Sequence, residues 1–261
     1  MIIKTDTQRA NLIEAGKRLG EVLEALEGMV APGVTTGFLD AESERLIRAK
    51  GDLPAFKGYT PEGARKPYPA TCCISVNEEV VHGLPGERAL KEGDIVSLDL
   101  GLIHEGIIVD SAITVPVGKI SKVDSELLAV TKQALEDAIA AAVPGARVGD
   151  ISYATGEAFK GSGFSVVRDL GGHGVGDKVH EEPFIANAGH PGTGPEIKAG
   201  MVLALEPIAN AGKAGVMISN DGFTYRAKDG SRSAHFEHTI LVEEGGTLVV
   251  TRRPKENQAT W

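Results

Sequence analysis

A chain of 261 residues is long enough to bury a sizeable core, and a single α/β or α+β unit can run to this length, so one compact domain is expected. Hydrophobic residues make up 42% and charged residues 24%, with no low-complexity tract, which excludes a disordered or fibrous chain. The formal net charge of −9 argues against DNA or RNA as partners, because affinity for a phosphate backbone rests on clustered Lys and Arg.

Leu12, Leu19, Val22, Leu23, Leu26 and Val30 recur near the helical period and predict an amphipathic helix over residues 8–30, ended by Pro32-Gly33. The same stretch lacks both the apolar core of a signal peptide and the length of a membrane span, so a cytoplasmic chain without a membrane partner is expected. A second helix is predicted over residues 39–49, stopped by Gly51, and a Pro- and Gly-rich loop over 54–69 leads into a strand over 71–76. That strand carries Cys72 and Cys73. Adjacent in the chain, they can build neither a disulfide framework nor a Cys-x-x-Cys zinc site, and Cys73 reads as a small apolar filler rather than a nucleophile.

Apolar runs at 95–100 and 107–117 bracket the polar turn His104-Glu105-Gly106 and predict a β-hairpin. A third helix over 125–143 puts Leu127, Leu128, Leu135 and Ile139 on one face and ends at Pro144-Gly145. Pro32, Gly33, Gly37 and Gly51 recur 112 residues on as Pro144, Gly145, Gly149 and Gly163, which points to two related halves with a site between them. Strand-rich segments at 164–167, 201–207 and 237–250 complete the second half. The expected domain spans 1–253, with a polar tail over 254–261, and the absence of a heptad pattern or a long exposed apolar stripe favours a monomer.

Apolar strands normally exclude acids, since an unpaired carboxylate taken out of water costs several kcal/mol. Asp99 interrupts Ile-Val-Ser-Leu-Asp-Leu, Asp110 interrupts Ile-Ile-Val-Asp-Ser-Ala, Glu206 interrupts Val-Leu-Ala-Leu-Glu-Pro, and Glu237 precedes His-Thr-Ile-Leu-Val. Any one of them could be an edge-strand residue facing solvent; four together suggest convergence. His173, flanked by Gly171, Gly172, Gly174 and Gly176, is a fifth candidate, although a loop histidine is the plainer reading. Gly172, Gly174 and Gly176 do not have the spacing of a dinucleotide loop, and Phe184 stands where a zincin helix starting at His180 would need its second histidine. Four carboxylates and one imidazole form a donor set that suits two divalent cations and hydrolysis by a shared water, and no Gly-x-Ser-x-Gly elbow offers a covalent route.

These segments, together with Ile74–Gly83, Gly93–Asp99, His180–Pro183 and Phe236–Thr239, resemble the type I methionine aminopeptidases of metallopeptidase family M24 over nearly the whole chain. The resemblance implies an α+β pita-bread fold, with pseudo-two-fold halves and a central antiparallel sheet covered by helices. It implies two divalent cations (Co, Mn, Fe or Zn) held by Asp99, Asp110, His173, Glu206 and Glu237, with Asp110 and Glu237 bridging. It makes His82 and His180 hydrogen-bonding partners of the substrate, Glu206 a proton shuttle, and Tyr68, Cys73 and Phe223 walls of a methionine pocket. The implied substrates are peptides and nascent proteins, near the ribosome, with an N-terminal methionine and a small second residue. The chain departs from the family pattern at Val179, where Phe is frequent, at Phe223, near an expected Trp, at Ser111-Ala112, and at His235, a position commonly Gln. An Xaa-Pro peptidase of the same fold, or a non-catalytic peptide-binding relative, is the competing reading.

Overall fold

A computed structural model describes residues 1–60 and 66–256 of the chain. The Thr5 hydroxyl accepts from the Gln8 amide ahead of α1 (Asp6–Glu27), and the Thr35 hydroxyl accepts from the Phe38 amide ahead of α2 (Thr36–Ala49). These caps satisfy amides that have no partner inside the helix, so both helices start before the first apolar position that the period marks. The chain continues through β1 (Leu53–Pro54), β2 (Cys72–Val76), β3 (Glu79–Val81), β4 (Ile95–His104) and β5 (Ile107–Pro116). After α3 (Lys122–Ala141) and α4 (Val148–Ala158) come β6 (Ser165–Val166), β7 (Gly171–Gly174), β8 (Glu181–Ala186), β9 (Val202–Leu205) and β10 (Ile208–Asn210). The remaining strands are β11 (Val216–Ile218), β12 (Tyr225–Ala227), β13 (Ser233–His235), β14 (His238–Glu243) and β15 (Gly246–Val249).

The expected hairpin is β4–β5, antiparallel from Ile95 opposite Pro116 to His104 opposite Ile107. Its turn residues, Glu105 and Gly106, have φ of 48° and 78°, a left-handed pair whose twist matches that of the flanking strands. β2 and β1 follow one another along the other edge of β4, so β4 has partners on both sides. The second large sheet runs β15-β14-β9-β7-β8, and two smaller ones run β13-β10-β6 and β11-β12-β3. Leu12, Leu19 and Leu23 of α1 share one buried core with Leu98, Leu100 and Leu102 of β4, and each such side chain contributes about 1.5–3 kcal/mol on burial.

The two halves repeat each other closely. Gly33 and Gly145 have φ of 91° and 86°, and Gly51 and Gly163 have φ of 82° and 85°, conformations that side chains rarely adopt. The Gly33 amide donates to Leu90 and the Gly145 amide to Ile197; Thr35 bridges to Ala89, and Arg147 to Glu196. Gly37 and Gly149, in the first turns of α2 and α4, each pack against a backbone carbonyl, that of Gly86 and that of His190. The four recurring Pro and Gly residues therefore mark equivalent turns in two related units.

Residues 254–256, assigned to a polar tail by sequence, are attached: Glu256 is buried and the Lys255 amide donates to Glu24. Residues 257–261 lie outside the described residues. Among those described, no helix is long and apolar enough to cross a membrane.

Candidate active site

Strand register brings the candidate ligands together. Asp99 stands opposite Ala112, and Asp110 lies two positions from Ala112 on the same strand, so both carboxyls project from one face of the β4–β5 hairpin. In the other half, His173 of β7 and Thr239 of β14 both stand opposite Ala204 of β9. Glu206 is two residues beyond Ala204 and Glu237 two before Thr239, so the period of two points them to the same side as His173.

The halves are joined at this point. The Glu237 amide donates to the Ala112 carbonyl at 2.9 Å, and the Ser111 hydroxyl donates to the Glu237 carbonyl at 2.7 Å. The Asp110 amide donates to the Thr239 hydroxyl, which donates back to the Asp110 carbonyl at 2.7 Å. As a result, donor atoms of Asp110, His173 and Glu237 lie within 4.8 Å of one another, and His173 Nε2 is 3.6 Å from Glu206 Oε1.

Burial raises the Asp99, Asp110, Glu206 and Glu237 carboxyls above the ordinary carboxylate range, and for Asp99, Asp110 and Glu237 the neighbouring carboxylates push the same way. Asp110 Oδ1 and Glu237 Oε1 are buried without a hydrogen-bond partner among the described residues. Acids so crowded, with orphaned oxygens, fit a group that brings positive charge. His173 Nδ1 is 2.9 Å from the Gly174 carbonyl, which places a proton there and leaves the Nε2 lone pair facing the acids. Burial, with His180 nearby, pushes the His173 imidazole down to about 3, so it is neutral near pH 7. The donor set suits divalent cations.

The acids form the floor of a cavity of about 630 Å³. Tyr68, Cys73 and Phe223 all line it, with the Tyr68 and Phe223 rings edge to face at 5.4 Å and the Tyr68 hydroxyl donating to the Gly83 carbonyl. Burial first, then Asp99, pushes the Cys73 thiol up, so it is a neutral wall group. Asp40 accepts from the Thr71 and Cys72 amides at 2.9 Å and fixes the start of that wall. His82 and His180 line the same cavity; His82 has φ of 58°, a strained backbone for a non-glycine residue. Burial, with His180 and His235 close, pushes His82 down to about 4. His82, His173, His180 and Glu206 also border a more polar cavity lined by Asp177, Lys178, Glu181 and Glu182, so the cleft has an apolar inner part and a charged mouth.

Sequence reasoning missed Tyr59, whose hydroxyl is 3.2 Å from His180 Nδ1, and Ile218 and Tyr225, which line the cavity from β11 and β12. Tyr59 lies in a loop and the two strands are three residues each, so none of these positions carries a periodic signal. Val179 is a buried wall residue of the inner cavity, and His235 faces Glu206 and Glu237.

The model of metallopeptidase family M24 matches residues 10–244. The chain belongs to this family. Among M24 relatives, methionine aminopeptidase 1 of Bacillus subtilis is 44% identical over 252 residues, covering 97% of this chain and 99% of the relative. The crystal structure of methionine aminopeptidase from Thermotoga maritima is 42% identical, with a TM-score of 0.91, covering 97% of this chain and 100% of that one. An Xaa-Pro dipeptidase from Bacillus anthracis shares the fold at a TM-score of 0.75 but is 22% identical, and this chain covers 62% of it. The family and its pita-bread architecture are thus shown together.

Proposed function

We propose that the chain hydrolyses the peptide bond after an N-terminal methionine, on peptides and nascent proteins whose second residue is small, with two divalent cations. The observation that carries this reading is the convergence of Asp99, Asp110, His173, Glu206 and Glu237 on the floor of a largely apolar cavity. These five residues would hold the cations, and the orphaned oxygens of Asp110 and Glu237 suit that pair to bridging. Bound there, the cations supply Lewis acidity and a water acidic enough to act as nucleophile near neutral pH.

The chain's own groups do the rest. Tyr68, Phe223 and Cys73 offer aromatic edges and a thiol to a thioether side chain, a favourable contact for sulfur. His82 and His180 are placed to donate to the carbonyl of the bond to be cleaved and to the charge that develops on it, and the Tyr59 hydroxyl orients His180. Glu206, at the border between the inner and outer cavities, can hold a proton and pass it to the leaving amine. A small second residue is favoured because a bulky one would clash at the mouth of the inner cavity, which His82 and His180 both line. The reading places the chain in the cytoplasm near the ribosome as a monomer, and two buried free thiols, Cys72 and Cys73, suit a reducing compartment.

The test is release of the N-terminal amino acid, methionine or alanine, from Met-Ala-Ser, Met-Leu-Ser and Ala-Pro by chelator-treated protein with and without Mn(II), Co(II) or Zn(II). Cation-restored cleavage of Met-Ala-Ser well above Met-Leu-Ser supports the reading. Cleavage of Ala-Pro alone moves it to an Xaa-Pro peptidase, and no cleavage with cation bound moves it to a peptide-binding role.

A further inference from the structure

His235 is buried, 2% exposed, and neither of its ring nitrogens has a hydrogen-bond partner among the described residues. Its Nε2 lies 3.5 Å from Glu206 Oε2 and 3.8 Å from Glu237 Oε2. The ring is not there by default: its backbone is clamped on both sides. The His235 amide donates to the Thr114 hydroxyl at 2.8 Å, that hydroxyl interacts with the His235 carbonyl at 2.8 Å, and Ile208 pairs with His235 across β10 and β13. Glu206 thus sits between two imidazoles, His173 at Oε1 and His235 at Oε2.

The two imidazoles are set up for opposite tasks. A carbonyl at Nδ1 of His173 fixes its proton there and turns an Nε2 lone pair toward the acids. Among the described residues no acceptor holds a proton on Nδ1 of His235, and a lone pair at its Nε2 would face two carboxylate oxygens. The stable arrangement carries the proton on Nε2, which makes His235 a donor to carboxylates and not a ligand.

We propose that His235 is a positioning residue: its Nε2–H faces Glu206 Oε2 at 3.5 Å and draws that oxygen toward it, orienting the carboxylate so that Oε1 stays turned toward His173. Buried partners of this kind, one shell behind the ligands, set ligand orientation, and their loss typically weakens cation binding about 10–100-fold. The inference rests on the cation site proposed above, and its test reads cation binding independently of any peptide.

The experiment titrates Co(II) into chelated, desalted protein by calorimetry and visible absorption, for wild type, His235→Ala and His235→Gln, with melting temperatures recorded for each. His235→Ala is expected to bind Co(II) about 10–100-fold more weakly and to lose kcat on Met-Ala-Ser with little change in KM. His235→Gln, whose amide can donate to the same oxygen, is expected to restore affinity and kcat to within about threefold of wild type and to keep the wild-type Co(II) absorption bands. Wild-type affinity in a folded His235→Ala protein overturns the proposal. So does a His235→Gln protein as weak as His235→Ala with altered bands, since the imidazole would then be a ligand itself. Wild-type protein that binds no Co(II) overturns the cation site and this role with it.

Discussion

Stripping divalent cations should make the stability of the chain fall with pH, and the slope measures the acids gathered in the site. Burial raises Asp110 from an ordinary 3.8, and Glu206 from 4.5, to about 8. Above pH 5 the unfolded chain has released these protons while the folded chain still holds them, so stability declines as pH rises until the folded groups titrate near pH 8. One such proton is worth about 1.4 kcal/mol per pH unit, hence about 3 kcal/mol between pH 5 and pH 7. For a chain of this size that lowers the melting temperature by about 6–12 °C. Neighbouring carboxyls titrate together, so one effective proton is the lower bound. The assay is a series of thermal melts in chelator at pH 5, 6 and 7, repeated with excess Mn(II), which replaces protons as counter-charge and flattens the profile. Asp110→Asn in chelator should melt above wild type at pH 7, because it removes one of the carboxyls that folding must protonate. A chelated wild type with a flat profile, together with an Asp110→Asn protein no more stable at pH 7, refutes the account of acids buried without compensating charge.

Glu237→Ala removes one of the two orphaned carboxylate oxygens of the site and should lose at least tenfold in cation affinity, with no activity restored by Mn(II); metal analysis after gel filtration checks the first and peptide cleavage the second. His82→Ala should retain wild-type cation content and lose about 10²–10³ in kcat, the size expected for one preorganised donor, as read by steady-state kinetics beside metal analysis. Cys73→Leu adds bulk to a wall that also carries Tyr68 and Phe223 and should raise KM for Met-Ala-Ser about tenfold while leaving Co(II) affinity unchanged in the same calorimetric titration.

The acids were readable in the sequence because the penalty for burying a carboxylate is large: Asp99, Asp110 and Glu206 sit in runs where solvent exposure would leave apolar neighbours uncovered on a strand. The recurrence of Pro32, Gly33, Gly37 and Gly51 was readable because left-handed turns and close backbone approaches select glycine almost alone, and the equivalent positions have nearly equal φ. What sequence did not carry was register. Nothing local says that His173 and Thr239 both stand opposite Ala204, yet that coincidence is what aims Glu206 and Glu237 at one point. Helix starts were missed for a related reason: the hydroxyls of Thr5, Thr35 and Ser121 decide them, and the apolar period is blind to a cap. His235 shows the limit most clearly. In the chain it is one histidine two residues before Glu237, a departure from a family pattern; the role proposed for it depends on distances to Glu206 and Glu237 and on Nδ1 having no carbonyl partner among the described residues.

Neither half can assemble the site alone, since Asp99 and Asp110 come from the first and His173, Glu206 and Glu237 from the second. Their mutual repulsion therefore falls on the seam between the halves. That seam is where Glu237 and Thr239 hydrogen-bond to Asp110, Ser111 and Ala112 through backbone and hydroxyl groups. Such bonds contribute about 0.5–1.5 kcal/mol each, so a handful of them is of the same order as the unfavourable burial of one carboxylate. The hydrogen bonds that join the halves thus offset part of the unfavourable crowding, and they lie within a residue or two of the acids whose repulsion they oppose.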